Sequence, residues 1–170
     1  MGIKGDYPPL GGDGNAVFLG VNTLNLDAKG RLAIPAKHRE ALAECCASRV
    51  AVTLNPVSRD KCLWLYPENE WRDVARKLSR LPAMDGKSQA LKRLILGHAS
   101  ELELDGQGRI LLSNELRSYA GLGKRVALVG QVNKFEIWDV DAWEGNRDRW
   151  LGEVADDAAG LTEQLGEITL

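Results

Sequence analysis

An internal repeat, built around one charged turn, constrains the fold of this chain more than any other feature. The segment NLDAKGRLAIPAKHRE at 25–40 returns in similar form as ELDGQGRILLSNELRS at 103–118. Repetition at a fixed spacing indicates repeated structural units. A shift of 78 residues superposes Leu24, Leu26, Asp27, Gly30, Arg31 and Arg39 on Leu102, Leu104, Asp105, Gly108, Arg109 and Arg117.

Both halves have the same predicted order of elements. Two alternating strands flank the turn, and a short helix, two apolar strands and a longer helix follow. The first half reads TLNL, RLAI, AKHREALAECC, RVAVTL, CLWLYP and ENEWRDVARKLSRL. The second half reads ELEL, RILL, NELRSYAG, RVALVG, KFEIWD and a helix at about 140–155.

Five segments are expected along the chain. Residues 1–16, rich in Gly and Pro, are predicted to be a disordered lead. The first half is assigned to 17–80, a connecting helix to 81–97, the second half to 98–150, and an acidic helix or tail to 151–170. In the connecting helix, Asp85 is predicted to cap the N-terminus, and the apolar stripe is predicted at Leu91, Leu94 and Ile95.

Neither half contains enough strands to form a stable sheet alone. Four short strands cannot bury both faces of a sheet, and they leave edges exposed. Pairing of the halves would solve both problems. The sequence therefore predicts a mainly β protein with helices, of the α+β class, in which the halves together complete a small barrel or sandwich.

The turn residues have local roles that follow from their chemistry. Gly30 and Gly108 occupy the position where a tight turn requires positive φ. Asp27 and Asp105 open the turns, where a carboxylate can accept hydrogen bonds from backbone N–H groups two residues on. These four residues are expected to serve the fold.

Two interpretations remain for the arginines at 31 and 109. Each can pair with its aspartate and staple the hairpin, but an exposed pair stabilises by only ~0–1 kcal/mol, a weak reason to build the motif twice. Alternatively, the turns hold an anionic partner. The second interpretation is favoured because residues 28–39 contain four basic residues and no acid, namely Lys29, Arg31, Lys37 and Arg39.

The composition excludes several classes of protein. The chain is 44% hydrophobic and 27% charged, as in soluble domains, and it has neither a transmembrane run nor the apolar core of a signal peptide. Three cysteines, two of them adjacent, form no disulfide framework. Without a disulfide framework or a signal peptide, a reducing cytoplasm is expected. His38 and His98 are far apart and no CxxC motif is present, so no metal is expected, and no other cofactor is predicted.

Other candidate features have simpler explanations. Trp71 and Trp143 occupy equivalent points of the repeat and are expected to pack in the core or at a subunit contact. Cys45 and Cys46 are expected to be buried in a helix. The basic residues of 72–80 are typical of a solvated helix face, with a second DNA-binding stripe as the alternative. The last part of the chain, from 150 onward, carries five acids and no Lys or Arg.

With these motifs in view, the chain resembles the MraZ family. The resemblance is carried by NLDAKGRLAIPAKHR, CLWLYP, KLSRL, LGHASELELDGQGRILL and LVGQVNKFEIWD, and it covers about 17–165. It implies two AbrB-type halves forming a swapped-hairpin β-barrel of the double-psi type with flanking helices. It also implies a sequence-specific transcriptional regulator, usually a repressor of its own division and cell-wall operon. Such a protein is expected to bind short repeated boxes of double-stranded DNA as a ring-shaped homo-oligomer. It is expected to be associated with the nucleoid and to have no membrane partner.

The resemblance assigns site residues for DNA binding and no catalytic residue. Arg31 is the expected DNA contact, with Lys29, Lys37 and Arg39 on phosphate and Asp27 orienting Arg31. In the second turn Gln107 replaces the lysine, so Arg109 with Asp105 serves either DNA or a structural contact.

Two other functions remain as alternatives. One is a protein-binding module of the antitoxin-like barrel type. The other is a small-barrel enzyme, because Asp27, Asp105 and His98 are titratable. No nucleophile motif, metal-ligand spacing or nucleotide loop supports an enzyme.

Overall fold

A computed structural model of the chain describes residues 16–166. Within that range the first half contains β1 (Val21–Asn25), β2 (Arg31–Ala33), α1 (Ala36–Cys46), β3 (Arg49–Leu54), β4 (Leu63–Pro67) and α2 (Glu68–Ser79). Helix α3 (Gly86–Gly97) follows. The second half contains β5 (Ser100–Glu103), β6 (Arg109–Leu111), α4 (Asn114–Tyr119), β7 (Arg125–Gly130), β8 (Phe135–Asp139) and α5 (Val140–Asp156), and α6 (Ala158–Leu165) comes last. The predicted lead, except for its last residue, lies outside the described residues.

The strands of the two halves are interleaved. The large sheet has the order β1-β7-β8-β4-β3-β5, and β2 pairs with β6 in a separate two-stranded ribbon. The first strand of each half pairs antiparallel with a strand of the other half, β1 with β7 and β5 with β3. Strands β4 and β8 join the halves at the centre. The prediction that the halves complete one another in a swapped-hairpin, α+β fold is confirmed.

The main core lies between the ribbon and one face of the large sheet. Alternate residues of the strands point into it, because successive side chains of a strand point to opposite faces. From the ribbon come Leu32 and Ile110, which are 0% and 2% exposed. From the large sheet come Val50, Val52 and Leu63, all buried in the same cluster.

Helices cover the opposite face of the large sheet in two smaller clusters. Trp71 of α2 is buried there with Tyr66 and Ile95. Trp143 of α5 packs against Trp138, with ring centroids 6.0 Å apart. Core packing is thus confirmed for both tryptophans that occupy equivalent points of the repeat.

Helix α3 lies against β3 in an orientation that differs from the prediction. Asp85 caps it as expected, accepting a hydrogen bond from Ser88 N at 3.2 Å. Ile95 is buried, but Leu94 is 40% exposed, so the predicted stripe was wrong at Leu94. Thr53 Oγ1 donates to the Ile95 carbonyl at 2.7 Å, which fixes this turn of the helix against the sheet and directs Leu94 outward.

None of the helices in residues 16–166 has both the length and the apolarity that a membrane span requires.

Candidate nucleic-acid interface

The first charged turn is closed by hydrogen bonds that converge on one aspartate. Asp27 N donates to Arg31 O, and Gly30 N donates to Asp27 O, both at 3.0 Å. Asp27 Oδ1 accepts from the backbone N–H groups of Lys29 and Arg31, each at 2.9 Å. Its Oδ2 accepts from Arg31 Nε at 2.6 Å. Gly30 has φ +82°. The predicted roles of the aspartate and glycine in the fold are confirmed.

The second turn repeats this arrangement bond for bond. Asp105 Oδ1 accepts from the backbone of Gln107 and Arg109, and Oδ2 accepts from Arg109 Nε, all at 2.9 Å. Gly108 has φ +70°. The doubled motif is therefore one structural unit built twice.

Hydrogen bonding keeps both turn carboxylates ionised. The backbone N–H of Arg31 contributes most to lowering the pKa of Asp27, and the guanidinium of Arg31 adds to it. The backbone N–H of Arg109 has the same effect on the pKa of Asp105. Each turn thus contains a fixed negative charge that binds one edge of its arginine.

The ribbon brings the two arginines onto one exposed face. Arg31 pairs with Leu111, and Arg109 pairs with Ala33. These four residues alternate with the buried Leu32 and Ile110, so they share the face that points away from the core. Arg31 and Arg109 are diagonal neighbours in this register, a relation that places two residues about 7–8 Å apart, with their Cβ atoms somewhat closer.

The turns lie at opposite ends of this ribbon. Ile34 N donates to Gly108 O at 2.9 Å, and Leu112 N donates to Gly30 O at 3.0 Å, which continues the ladder past both strands. Along the ribbon the glycines are thus four residue steps apart, or about 13 Å at roughly 3.3 Å per residue. We call the outer face with its two turns the ribbon face, defined by residues 27–33 and 105–111.

Each turn is covered by an arginine from the other half of the chain. Arg117 of α4 lies over Gly30, where an added Cβ would be 2.6 Å from its Cζ. Arg39 of α1 lies over Gly108, where an added Cβ would be 2.0 Å from its Cδ. Arg39 Nη1 also donates to Gln107 O at 3.1 Å. Both glycines are buried although they stand in turns.

The fold therefore divides the basic residues that are close together in the sequence. Lys29 and Arg31 lie at the first turn, whereas Arg39 contacts the second turn. Lys37 is exposed in the first turn of the helix that carries Arg39. The second turn, which has few basic residues in its own sequence, thus receives Arg39 from the first half.

Sequence reasoning did not assign a role to two basic residues near the first turn. Arg117 and Lys124 line a cleft of about 610 Å³ together with Asp27. Lys124 is exposed, and its carbonyl accepts from Leu26 N at 2.8 Å. The repeat contained a signal for Arg117, because the 78-residue shift aligns it with Arg39. No comparable signal existed for Lys124, which comes close only through the interleaving of the halves.

The other basic stripe is ion-paired along α2, and the Cys45 thiol is protonated at neutral pH. Arg72 and Arg76 of α2 form ion pairs with Glu68 and Asp73, as in a solvated helix face. Burial raises the pKa of Cys45 to about 12. In the described part of the chain, no group of three or more His, Cys, Asp or Glu residues could hold a metal ion.

Comparison with known proteins gives a consistent result. A family model described as "MraZ protein, putative antitoxin-like" matches residues 17–94 and again 95–151. A protein named Transcriptional regulator MraZ from Halorhodospira halophila is 50% identical over 154 residues, which are 91% of this chain and 100% of that relative. The protein of the same name from Thioalkalivibrio sulfidiphilus is 52% identical with the same coverage. The one from Pseudomonas aeruginosa is 44% identical, again over 154 residues.

Proposed function

The chain belongs to the MraZ family, whose named relatives are transcriptional regulators, and we propose that it regulates transcription by binding double-stranded DNA with its ribbon face. One observation carries this proposal. Two copies of an ion-paired Asp-x-x-Gly-Arg turn place Arg31 and Arg109 on one exposed face of a two-stranded ribbon. A β-ribbon is narrow enough to enter the major groove of DNA.

The ion pair prepares Arg31 for an anion. Asp27 binds the Nε edge of the guanidinium, and within residues 16–166 the two Nη groups of Arg31 have no hydrogen-bond partner. These Nη groups can still grip a phosphate or donate to a guanine edge. Because the side chain is already held, less conformational entropy is lost when DNA binds. Asp27 is in this way an orienting residue.

The other site residues are proposed to contact phosphates or to add positive charge to the ribbon face. Lys29 is exposed at the tip of the first turn and contacts phosphate, as does the exposed Lys37. In the second turn, Arg109 is oriented by Asp105 as Arg31 is by Asp27. Arg39 reaches the same end of the ribbon, so its positive charge adds to that of Arg109.

We further infer that copies of the chain assemble into a ring-shaped homo-oligomer. This ring binds repeated DNA boxes upstream of the chain's own division and cell-wall operon, in the nucleoid, and usually represses that operon. Strands β1 and β5 are the edges of the large sheet in the described chain. Beside the β1 edge, Leu19 and Val21 are 53% and 49% exposed, and this apolar surface next to an unpaired strand edge supports a contact with another copy. A heterologous contact of this kind forms a ring if its rotation closes. Several weak turns on repeated boxes would then bind tightly through effective concentration.

A second candidate function is binding of a protein partner. It is favoured by the antitoxin-like description of the matching family model. In that case the ribbon face would bind acidic groups of a protein instead of phosphates. Sequence selectivity for DNA separates the two candidates, since a protein-binding surface has no reason to distinguish one duplex from another.

The proposal is tested by a gel shift with the duplex upstream of the chain's own gene and with a scrambled duplex, at two salt concentrations. We expect a selective shift that weakens as salt rises, because bound phosphates release counterions. Arg31→Ala should lose binding about tenfold or more, because one good arginine contact contributes ~1–3 kcal/mol. The matched control is Arg93→Ala, since Arg93 is exposed on α3 and lies on the opposite side of the large sheet. Unchanged binding by Arg31→Ala would remove the role given to that residue.

Light scattering tests the ring separately. We expect a homo-oligomer, and a monomer at micromolar concentration would contradict the ring.

A further inference from the structure

We propose that Arg117 and Arg39 are positioning residues that act across the two halves of the chain. Arg117 of the second half holds the first turn in its DNA-binding conformation, and Arg39 of the first half holds the second turn. The DNA readout of this inference rests on the proposed function, whereas its structural readout does not.

Arg117 is connected to the first turn through packing and hydrogen bonds. Its guanidinium covers Gly30 so closely that an added Cβ would be 2.6 Å from Cζ. Its Nε donates to Leu112 O at 3.1 Å, and Leu112 N donates to Gly30 O at 3.0 Å. A second bond joins Arg117 Nη2 to Asn114 Oδ1. Arg117 therefore fixes both the glycine and the strand residue that pairs with it.

Arg39 has the equivalent relation to the second turn. Its side chain lies over Gly108, and its Nη1 donates to Gln107 O at 3.1 Å. Ile34 N donates to Gly108 O, as Leu112 N does to Gly30 O. The Nε atom of Arg39 is buried and has no hydrogen-bond partner in the described residues. Arg39 is therefore held more by packing and less by hydrogen bonds than Arg117 is.

Packing of an arginine side chain over each turn affects function, because the central residue of each turn is a flexible glycine. Glycine has the largest conformational freedom of any residue, and an uncovered glycine turn samples several conformations. The direction of the Arg31 guanidinium depends on the backbone between Asp27 and Arg31. Ordering that segment in the free protein removes an entropic cost that DNA binding would otherwise include. Loss of Arg117 should therefore weaken DNA binding through Arg31.

Hydrogen exchange of the free protein tests the structural part. Arg117→Ala should speed exchange in the first turn, residues 27–30, and leave the second turn, residues 105–108, close to the wild-type rate. Arg39→Ala should do the reverse. The β3 segment 49–54 reports on the whole fold and should be unchanged. If Arg117→Ala accelerates all three segments, the comparison is made with Arg117→Gln, which keeps two of the three methylene groups of arginine and removes the guanidinium over Gly30.

A double-mutant cycle on DNA affinity tests the functional part. Arg117→Ala should weaken binding about tenfold in the wild-type background and less than about twofold in the Arg31→Ala background, since residues that act through one another are not additive. Arg39→Ala should cause the same fold-loss in both backgrounds, because it acts on the other turn. Arg117→Lys should restore little, because an ammonium group cannot cover the glycine and bond to Leu112 O in the same way.

The outcomes separate this inference from the proposed function. Absence of selective DNA binding by the wild-type protein would refute the proposed function, while the exchange result would still decide whether each arginine holds the opposite turn. Selective binding with additive losses for Arg117 and Arg31 would overturn the positioning role. Coupling of Arg117 with Arg109, in its own half, would overturn the cross-half assignment.

Discussion

Gly108 shows at the scale of a single residue why one position of each turn requires glycine. Its φ is +70°, and an added Cβ would be 2.0 Å from Arg39 Cδ. Two residues earlier, Gly106 has no other heavy atom within 4 Å of the position where a Cβ would stand, and the first turn has Ala28 at the equivalent place. The same turn therefore contains one required glycine and one replaceable glycine.

This contrast gives a prediction for stability. Gly108→Ala should lower the free energy of unfolding by ~1–3 kcal/mol, because it introduces backbone strain and displaces Arg39. Gly106→Ala should be neutral or slightly stabilising, because it only reduces the freedom of the unfolded chain. Denaturant unfolding at equal protein concentration measures both changes. Equal losses for the two variants would contradict the assigned strain.

His38 gives the protein a predicted pH dependence. It is 2% exposed and packs against Phe135, with ring centroids 4.8 Å apart. Burial, aided by the charge of Lys37, lowers the pKa of His38 below 6.5. The unfolded chain therefore binds this proton more readily than the native state. Stability from His38 is present above about pH 6.5 and decreases as the pH falls below it, by at most about 1.4 kcal/mol per pH unit.

The measurement is the denaturant midpoint between pH 7.5 and 5 for the wild type and for His38→Leu. The slope in this window should be smaller in the variant, since leucine is not titratable. An identical slope in both proteins would assign the pH dependence to other groups.

At the scale of secondary structure, the sequence predicted the bounds of helices and strands better than it predicted which face of a helix is buried. AKHREALAECC is α1, and RVAVTL is β3, without a shift at either end. Both segments have strong local signals, namely an N-terminal proline with good helix formers and a run of β-branched and apolar residues. The stripe of α3 failed at Leu94 because the helix is oriented by the bond from Thr53, which is 42 residues away from Ile95.

The hydrogen bond from Thr53 to the Ile95 carbonyl joins β3 to α3, and its contribution to stability can be tested. Thr53→Val should cost about 1–3 kcal/mol of stability, because the shape is retained while the Ile95 carbonyl loses its buried donor. Thr23→Val in β1 is the matched control, since Thr23 is an exposed strand threonine, and its change should lie within about 0.5 kcal/mol of zero. Thermal or denaturant unfolding measures both. A loss no larger than that of the control would mean that the bond does not hold α3 on the sheet.

At the scale of the whole molecule, the interleaving of the halves determines both the fold and the charge of the candidate site. Sequence reasoning found the repeat and the paired halves, because both follow from patterns within one chain. From the sequence, Arg39 was grouped with the first turn, because it is close to that turn in sequence. The swap instead carries Arg39 to Gly108 and Arg117 to Gly30, contacts that are 69 and 87 residues apart in sequence.

Interleaving also predicts a single unfolding transition. If one half unfolds, the other keeps only a two-stranded pair, β3 with β4 or β7 with β8, because β1 pairs with β7 and β5 pairs with β3. Tryptophan fluorescence and far-ultraviolet circular dichroism should therefore report the same denaturant midpoint at a fixed protein concentration. Two separate transitions would indicate halves that fold independently.

The central claim is that the ribbon face holds DNA, and a salt titration of DNA affinity tests it most directly. The variant Arg31→Ala with Arg109→Ala is compared with Arg76→Ala with Arg93→Ala, which removes the same charge from α2 and α3. The ribbon variant should bind at least about a hundredfold more weakly, and the slope of log affinity against log salt should decrease by about one for each lost phosphate contact. The control variant should keep the wild-type slope and nearly the wild-type affinity. Equal affinity and slope in the two variants would contradict the assignment of the ribbon face as the DNA-binding surface.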